Sequence, residues 1–397
     1  MINDQLRAAA RTEAIAPFMV MEVLEAAQAI ERTGDKVIHL EIGEPDFDTP
    51  EVIRAAGAAA LAAGGTHYTH SLGRRELREA IAEHYWSTYR VAVPPERVIV
   101  TTGTSAGLWM AMAALIEPGD EVILGDPSYA CYPNFIRFFG GIPRFVPLDP
   151  DDGYQFHLGE VEQRITPRTR AILINSPSNP TGTLLTAETL AALASTGLPI
   201  LSDEIYHGLV YEGREHTMLE FAPDAIVLNG FSKAWAMTGW RLGWMIVPER
   251  LVRPIQKMAQ NFFISAADFS QSAGVAALRH GAPEVARMRA EYDRRRRRMI
   301  AGLREIGFAL RHEPTGAFYV LADARRWSCD SRALVFQILE RARVACSPGV
   351  DFGRNAEGFL RFSYANSLDR IEEALRRLAA FFREYEDRTA RLTQHDS

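Results

Sequence analysis

Along residues 46–285, short apolar runs alternate with stretches whose apolar positions recur at helical spacing. Val98-Ile99-Val100, Ala171-Ile172-Leu173-Ile174 and Pro199-Ile200-Leu201 each fill a strand-length window. Runs of this kind suit strands buried on both faces, as in a parallel sheet. The second and third close on polar residues, Asn175 and Ser202-Asp203, so their C-terminal ends open on something hydrophilic. The apolar run from Leu108 to Leu115 follows small residues and predicts a helix. The alternation predicts an α/β fold with a mostly parallel sheet covered by helices. Ahead of it, Met19 to Arg32 predicts one helix. After about residue 286 the pattern gives a long charged helix, a mixed segment holding Phe318-Tyr319-Val320-Leu321, and an amphipathic helix ending near 386. The run Arg294 to Arg298 lies in the charged helix and is expected to be a solvated face with some pairing to a neighbouring helix. The last ten or so residues, ending Thr393-Gln394-His395-Asp396-Ser397, are polar and expected to fray.

The stretch from Gly230 to Gly243 changes the picture from architecture to chemistry. It holds one lysine, Lys233, and one arginine, Arg241, among small and apolar residues. Desolvation lowers an ammonium pKa, and a neutral amine is what forms a Schiff base with a carbonyl. Ser232 and Arg241 can hold a phosphate by a hydroxyl and a planar fork. A nucleophilic lysine beside a phosphate clamp is what pyridoxal 5'-phosphate (PLP) requires. Asp203, at the end of an apolar run, can pair with a protonated pyridine nitrogen, and Tyr206 can reach the ring oxygen. Asn179 sits in Ser176-Pro177-Ser178-Asn179-Pro180-Thr181-Gly182, a rigid turn that presents it in one direction. Thr101 to Gly107 puts small residues at a strand-to-helix junction, where backbone N–H groups bind anions. Each signal has a plainer alternative: a structural buried lysine, a capping aspartate, a turn asparagine, a helix cap.

Taken jointly these motifs resemble a class I aminotransferase of PLP fold type I, near the bacterial aspartate/aromatic/alanine-type subgroup. The resemblance runs from about Ala16 to Leu378. It also rests on Gly43-Glu44-Pro45-Asp46-Phe47-Asp48-Thr49-Pro50, on Tyr68 with Gly73 to Arg78, and on Asp126-Pro127-Ser128-Tyr129. Thr315-Gly316-Ala317-Phe318-Tyr319 and Leu360-Arg361-Phe362-Ser363-Tyr364-Ala365 complete it. The resemblance implies that Lys233 carries the cofactor as a Schiff base and moves the substrate proton, with Asp203 on the pyridine nitrogen. Tyr206 and Asn179 would bond the ring oxygen, and Tyr129 would stack on the ring. Thr104, Ser105, Ala106, Ser232 and Arg241 would hold the phosphate. Tyr68 would reach the cofactor of the neighbouring subunit, making the active unit a homodimer with shared sites. Arg361 would bind the substrate α-carboxylate, helped by Asn179 and the Gly43 backbone. Residues 46–285 would form the large PLP-binding domain, and 1–45 with 286–397 a smaller α+β domain.

Composition adds limits. The chain of 397 residues is 47% hydrophobic and 24% charged with formal net charge −6, so nothing global points to nucleic acid or an anionic membrane. Cys131, Cys329 and Cys346 form no paired motif, which suits the cytoplasm rather than a disulfide framework. No apolar run reaches the roughly 18 residues of a membrane span. His67 and His70 flank Tyr68 without a third ligand, so no metal site is expected. Substrate choice reads as a neutral amino acid, apolar, aromatic or small. Ser105 offers no charge to a distal carboxylate, Phe18 and Met19 can cover the pocket, and Asn261-Phe262-Phe263-Ile264 from a neighbouring subunit is apolar. Two rivals remain open: a PLP-dependent C–S lyase, which shares the cofactor contacts, and a non-catalytic PLP-binding regulatory module, for which no basic reading helix is found.

Overall fold

The computed structural model describes residues 7–395, with side chains to residue 388. Its strands are β1 (Ile38–His39), β2 (Val98–Thr101), β3 (Glu121–Asp126), β4 (Ile142–Pro147), β5 (Thr169–Asn175) and β6 (Ile200–Asp203). There follow β7 (Ile226–Gly230), β8 (Gly243–Ile246), β9 (Tyr319–Asp323), β10 (Val344–Ala345), β11 (Ser347–Pro348) and β12 (Phe359–Ser363). Seven of them form one sheet in the order β2-β8-β7-β6-β5-β3-β4. β3 to β7 pair in parallel, and β8 alone runs against its neighbours β2 and β7.

Alternate residues of each strand enter different cores. Val98, Ile123, Ile172, Ile200, Val227 and Ile246 join one apolar cluster, while Ile99, Leu124, Leu173, Leu201, Leu228 and Met245 join another. That division is why the strand sequences are apolar throughout: both faces are covered. Because β2 to β7 all point the same way, Thr101, Asp126, Asn175, Asp203 and Gly230 come out along one edge of the sheet. Loops leaving that edge carry the polar residues singled out above.

The remaining strands make a three-stranded antiparallel sheet, β11-β12-β9, and a parallel pair, β1 with β10. Ile38 pairs with Val344 and His39 with Ala345, so the chain before the large sheet is tied to the chain after it. The expected first helix spans Met19–Glu31. The charged helix spans Ala282–Ile306, so the boundary expected after residue 285 falls inside a continuous helix. The last helix runs Leu368–His395, so it continues through most of the end expected to fray, and Asp396 and Ser397 lie outside the described residues.

The basic run corrects one expectation. Arg294 and Arg297 are solvated, and Arg298 pairs with Glu372 of the last helix. Arg295 and Arg296, however, are buried. The helix rotation between successive residues turns these two inward, where each finds carboxylates: Asp46 and Glu291 for Arg295, Asp293 and Glu212 for Arg296. Among the described residues no helix is long and apolar enough to cross a membrane.

Candidate active site

Lys233 follows β7 in a loop that other residues hold in shape. Ala236 and Arg241 adopt left-handed φ of 50° and 51°. The Thr49 hydroxyl donates to the Ala236 carbonyl (2.5 Å) and accepts from Trp240 Nε1 (3.0 Å). Lys233 Nζ donates to the Gly43 carbonyl at 2.5 Å. Burial pushes the Lys233 ammonium down to about 8; Glu44 opposes this, and Arg361 and Arg241 add to it. A substantial neutral fraction therefore exists near pH 8, the condition a nucleophilic amine needs.

Asp203 ends β6 and is buried. Burial pushes its carboxyl up to about 6, against the Tyr132 hydroxyl, which donates to Oδ2 at 2.7 Å, and the Ile205 N–H at 3.2 Å. Asn175, at the end of β5, ties the neighbouring turn to this strand: its amide donates to the Asp203 carbonyl (2.9 Å), and its Oδ1 accepts from the Asn179 N–H (2.8 Å). Tyr206 meets Tyr319, with hydroxyls 2.9 Å apart. Tyr129 stands edge-on to Phe18 and Tyr132.

Arg361 projects from β12 and is 1% exposed. Its guanidinium lies between two rings, 4.4 Å from the centre of Tyr319 and 4.7 Å from that of Phe352. Nη1 donates to Asn179 Oδ1 at 2.8 Å, and Nη2 donates to Ser347 Oγ at 3.1 Å and to the Glu41 carbonyl. Three of the fork's five donors are thus engaged. Nε has no partner among the described residues. The two N–H groups left over, on Nε and Nη1, lie on different edges of the plane, so a two-pronged grip on a carboxylate would take over one of the Nη2 bonds.

These groups share one cavity of about 460 Å³. Lining it are Lys233, Asp203, Tyr206, Asn179, Tyr129, Thr104, Ser105, Ser232, Arg241, Gly43, Arg361 and Phe18. Two expected residues stand outside. Ala106 lies one residue further along the helix Thr104–Leu115, and Tyr68 is 81% exposed on the surface. Of the expected cover, Phe18 lines the cavity, but Val20 and Met21 do so in place of Met19, because the helix that begins at Met19 turns Met19 away. Close backbone approach is needed at Gly43 and at Gly103: a Cβ would come within 2.0 Å of Tyr319 Oη at the first and 2.5 Å of Arg241 Nη2 at the second. Gly103 also has φ +86°, beyond easy reach of other residues.

Sequence reasoning missed Tyr132, Glu41, Ser347 and Phe352, which hold Asp203 and Arg361 in place. Tyr132 had a weak signal, three residues after Tyr129 at a helix start; the others come from distant segments and carry none. The assembled site offers an amine of lowered basicity, a buried carboxylate, and two arginines in one enclosed space.

The model of the family described as aminotransferase class I and II matches residues 35–378. The chain is 42% identical over 369 residues to the (5-formylfuran-3-yl)methyl phosphate transaminase of Methanocaldococcus jannaschii, covering 92% of this chain and 96% of that one. It is 39% identical to the valine–pyruvate aminotransferase of Mycobacterium tuberculosis, with 92% and 96% covered. The solved aspartate aminotransferase of Thermus thermophilus with maleate superposes with a TM-score of 0.91 at 37% identity, over 95% of this chain and all of that one. With its fold, its enclosed lysine and these relatives in agreement, the chain belongs to the class I and II aminotransferases, PLP-dependent transaminases that move an amino group from an amino acid to a 2-oxo acid.

Proposed function

We propose that this aminotransferase holds PLP at Lys233 and acts on neutral L-amino acids with apolar or aromatic side chains. One observation carries the substrate reading. The cavity wall includes Phe18, Val20, Met21, Leu24, Ile42 and Leu108, and among the described residues its only cations are Lys233, Arg241 and Arg361. A second carboxylate against that wall would lose its water without gaining a partner. The relatives named above differ among themselves in substrate, so they do not choose for this chain.

The residues present fit PLP. The Gly103 backbone lies against the Arg241 guanidinium, a cradle that a Cβ would fill, with Thr104, Ser105, Ala106 and Ser232 nearby for the phosphate. Asp203 would face the pyridine nitrogen, Tyr129 the ring, and Tyr206 the ring oxygen. Asn179 already spends Oδ1 on Arg361, which leaves its Nδ2 to donate to that same oxygen. Bound PLP supplies the carbonyl that takes the amino group and a ring that accepts an electron pair. The chain's own residues do the rest. Arg361 anchors the substrate carboxylate by its charge and its guanidinium N–H groups. Lys233 Nζ, neutral in part near pH 8, takes the Cα proton and returns it as an acid. Asp203, ionised above about 6, keeps a facing N–H cationic.

The same proposal includes a large lobe over 46–285 and a smaller one from 1–45 with 286–397, supported by the β1–β10 pairing. It also includes a cytoplasmic homodimer in which Tyr68 of the partner subunit completes each site. Exposure of Tyr68, Phe262 and Ile264, at 81%, 63% and 45%, supports a covered apolar face.

The test mixes PLP-loaded protein with single L-amino acids and no 2-oxo acid. Conversion to the pyridoxamine form with one equivalent of 2-oxo acid, fastest with phenylalanine or leucine, is expected. A preference for aspartate by kcat/KM would overturn the substrate reading. Accumulating pyruvate and ammonia would move the activity to a C–S lyase.

A further inference from the structure

We propose that His39 is a positioning residue for substrate binding: its imidazolium, paired with the buried Glu41 carboxylate, keeps Arg361 available to the substrate carboxylate. The inference rests on the reading of Arg361 given above.

Glu41 is fully buried. Its Oε1 lies 2.7 Å from His39 Nδ1, and its Oε2 has no partner among the described residues. A buried carboxylate with a single partner depends on that partner's charge. The backbone of the same residue meets the substrate site, since the Glu41 carbonyl accepts from Arg361 Nη2 and from Ser347 Oγ. His39 itself reaches the surface, with 23% of its side chain exposed and Nε2 3.3 Å from Glu31 Oε1. Protons can therefore reach the ring although the carboxylate behind it is sealed.

Among the described residues, few other charges bear on the ring. Across the strand pair it faces Ala345, flanked by Val344, neither of which titrates, and by Cys346, whose thiol burial pushes far up. Asn366 donates to the His39 carbonyl. The helix Met19–Glu31 contributes Glu31, and the last helix contributes Arg377, already paired with Glu373 at 2.7 Å. The hydrogen bond to Glu41 raises the His39 pKa above its ordinary value, and Glu31 adds to this against burial. The ring is thus charged below neutrality and loses its proton as pH rises through that raised value. The His39–Glu41 pair is then one positive charge poorer, next to the backbone that holds Arg361. That loss disfavours a second carboxylate, the substrate's, at the guanidinium.

The experiment measures the Kd of 3-phenylpropanoate, an apolar monocarboxylate, for the holoenzyme by calorimetry from about pH 6 to about pH 9, a window that spans the ordinary histidine range. Wild type, His39→Gln, Glu41→Gln and Arg361→Gln are compared. In His39→Gln the new side-chain amide can still donate to Glu41 but carries no charge. That variant is expected to weaken binding about tenfold near pH 6, and the deficit should shrink toward pH 9 as the wild-type ring loses its proton. Glu41→Gln, lacking the carboxylate, should match wild type at the acid end and bind more tightly than it at the alkaline end. A His39→Gln deficit constant across pH would be a packing effect and would overturn the inference. Unchanged binding in Arg361→Gln would instead overturn the reading of Arg361 beneath it, and the two failures are thereby distinguished.

Discussion

Replacing Arg361 by lysine keeps a positive charge and removes a plane. The guanidinium is held edge and face: Asn179 and Ser347 accept from it at 2.8 and 3.1 Å, the Glu41 carbonyl accepts a third bond, and two rings cover its faces. A lysine ammonium at the end of a flexible stem can neither stack between Tyr319 and Phe352 nor offer two parallel N–H groups. At least one hydrogen bond to the substrate carboxylate is lost. Bonds to charged groups contribute about 1.5–3 kcal/mol each, so kcat/KM should fall roughly 10- to 150-fold. Steady-state kinetics with a panel of amino acids gives the number. The loss should be equal for phenylalanine, leucine and aspartate, because all carry the same α-carboxylate. Arg279→Lys, a change at an exposed pair with Glu76, serves as control and should alter little. A loss of under about threefold with the fold intact would refute the assignment. So would a loss confined to aspartate, which would put Arg361 at a distal carboxylate instead.

Other outcomes follow from the same geometry. Tyr132→Phe removes the hydroxyl that stabilises ionised Asp203, so its carboxyl should rise further above about 6 and the acid limb of the kcat/KM profile should move up with it; an unmoved limb would separate Asp203 from the profile. Apo protein should react with an added aldehyde at a rate that climbs through about pH 8, as Lys233 loses its proton, and that reaction should be missing in Lys233→Ala. Sedimentation should give a dimer, and Phe262→Asp, which puts a charge on the exposed apolar face, should yield a monomer with little activity; a fully active monomer would refute the shared site.

Much of the site was legible because its parts are local. Lys233, Ser232 and Arg241 lie within one loop, and the Asn179 turn and Asp203 each follow a strand that its own apolar run announces. The cores on both sheet faces were equally readable, since a strand covered twice must be apolar at every position. Arg295 and Arg296 were misread for the opposite reason. Charge in sequence says solvent, and the approach of Asp46 and Glu212 from distant loops adds to Glu291 and Asp293 of the same helix the partners that two buried arginines need.

The sequence by itself therefore determined the α/β class and the loop that carries Ser232, Lys233 and Arg241, because short-range periodicity and turn chemistry act over a few residues. Only the tertiary structure decided what surrounds them. Strand order brought Tyr132 to Asp203, across 71 positions, and Glu41 to Arg361, across 320. It also set the burial that brings Lys233 down to about 8 and Asp203 up to about 6. Desolvation and pairing depend on which distant segments close over a group, and no local pattern encodes that.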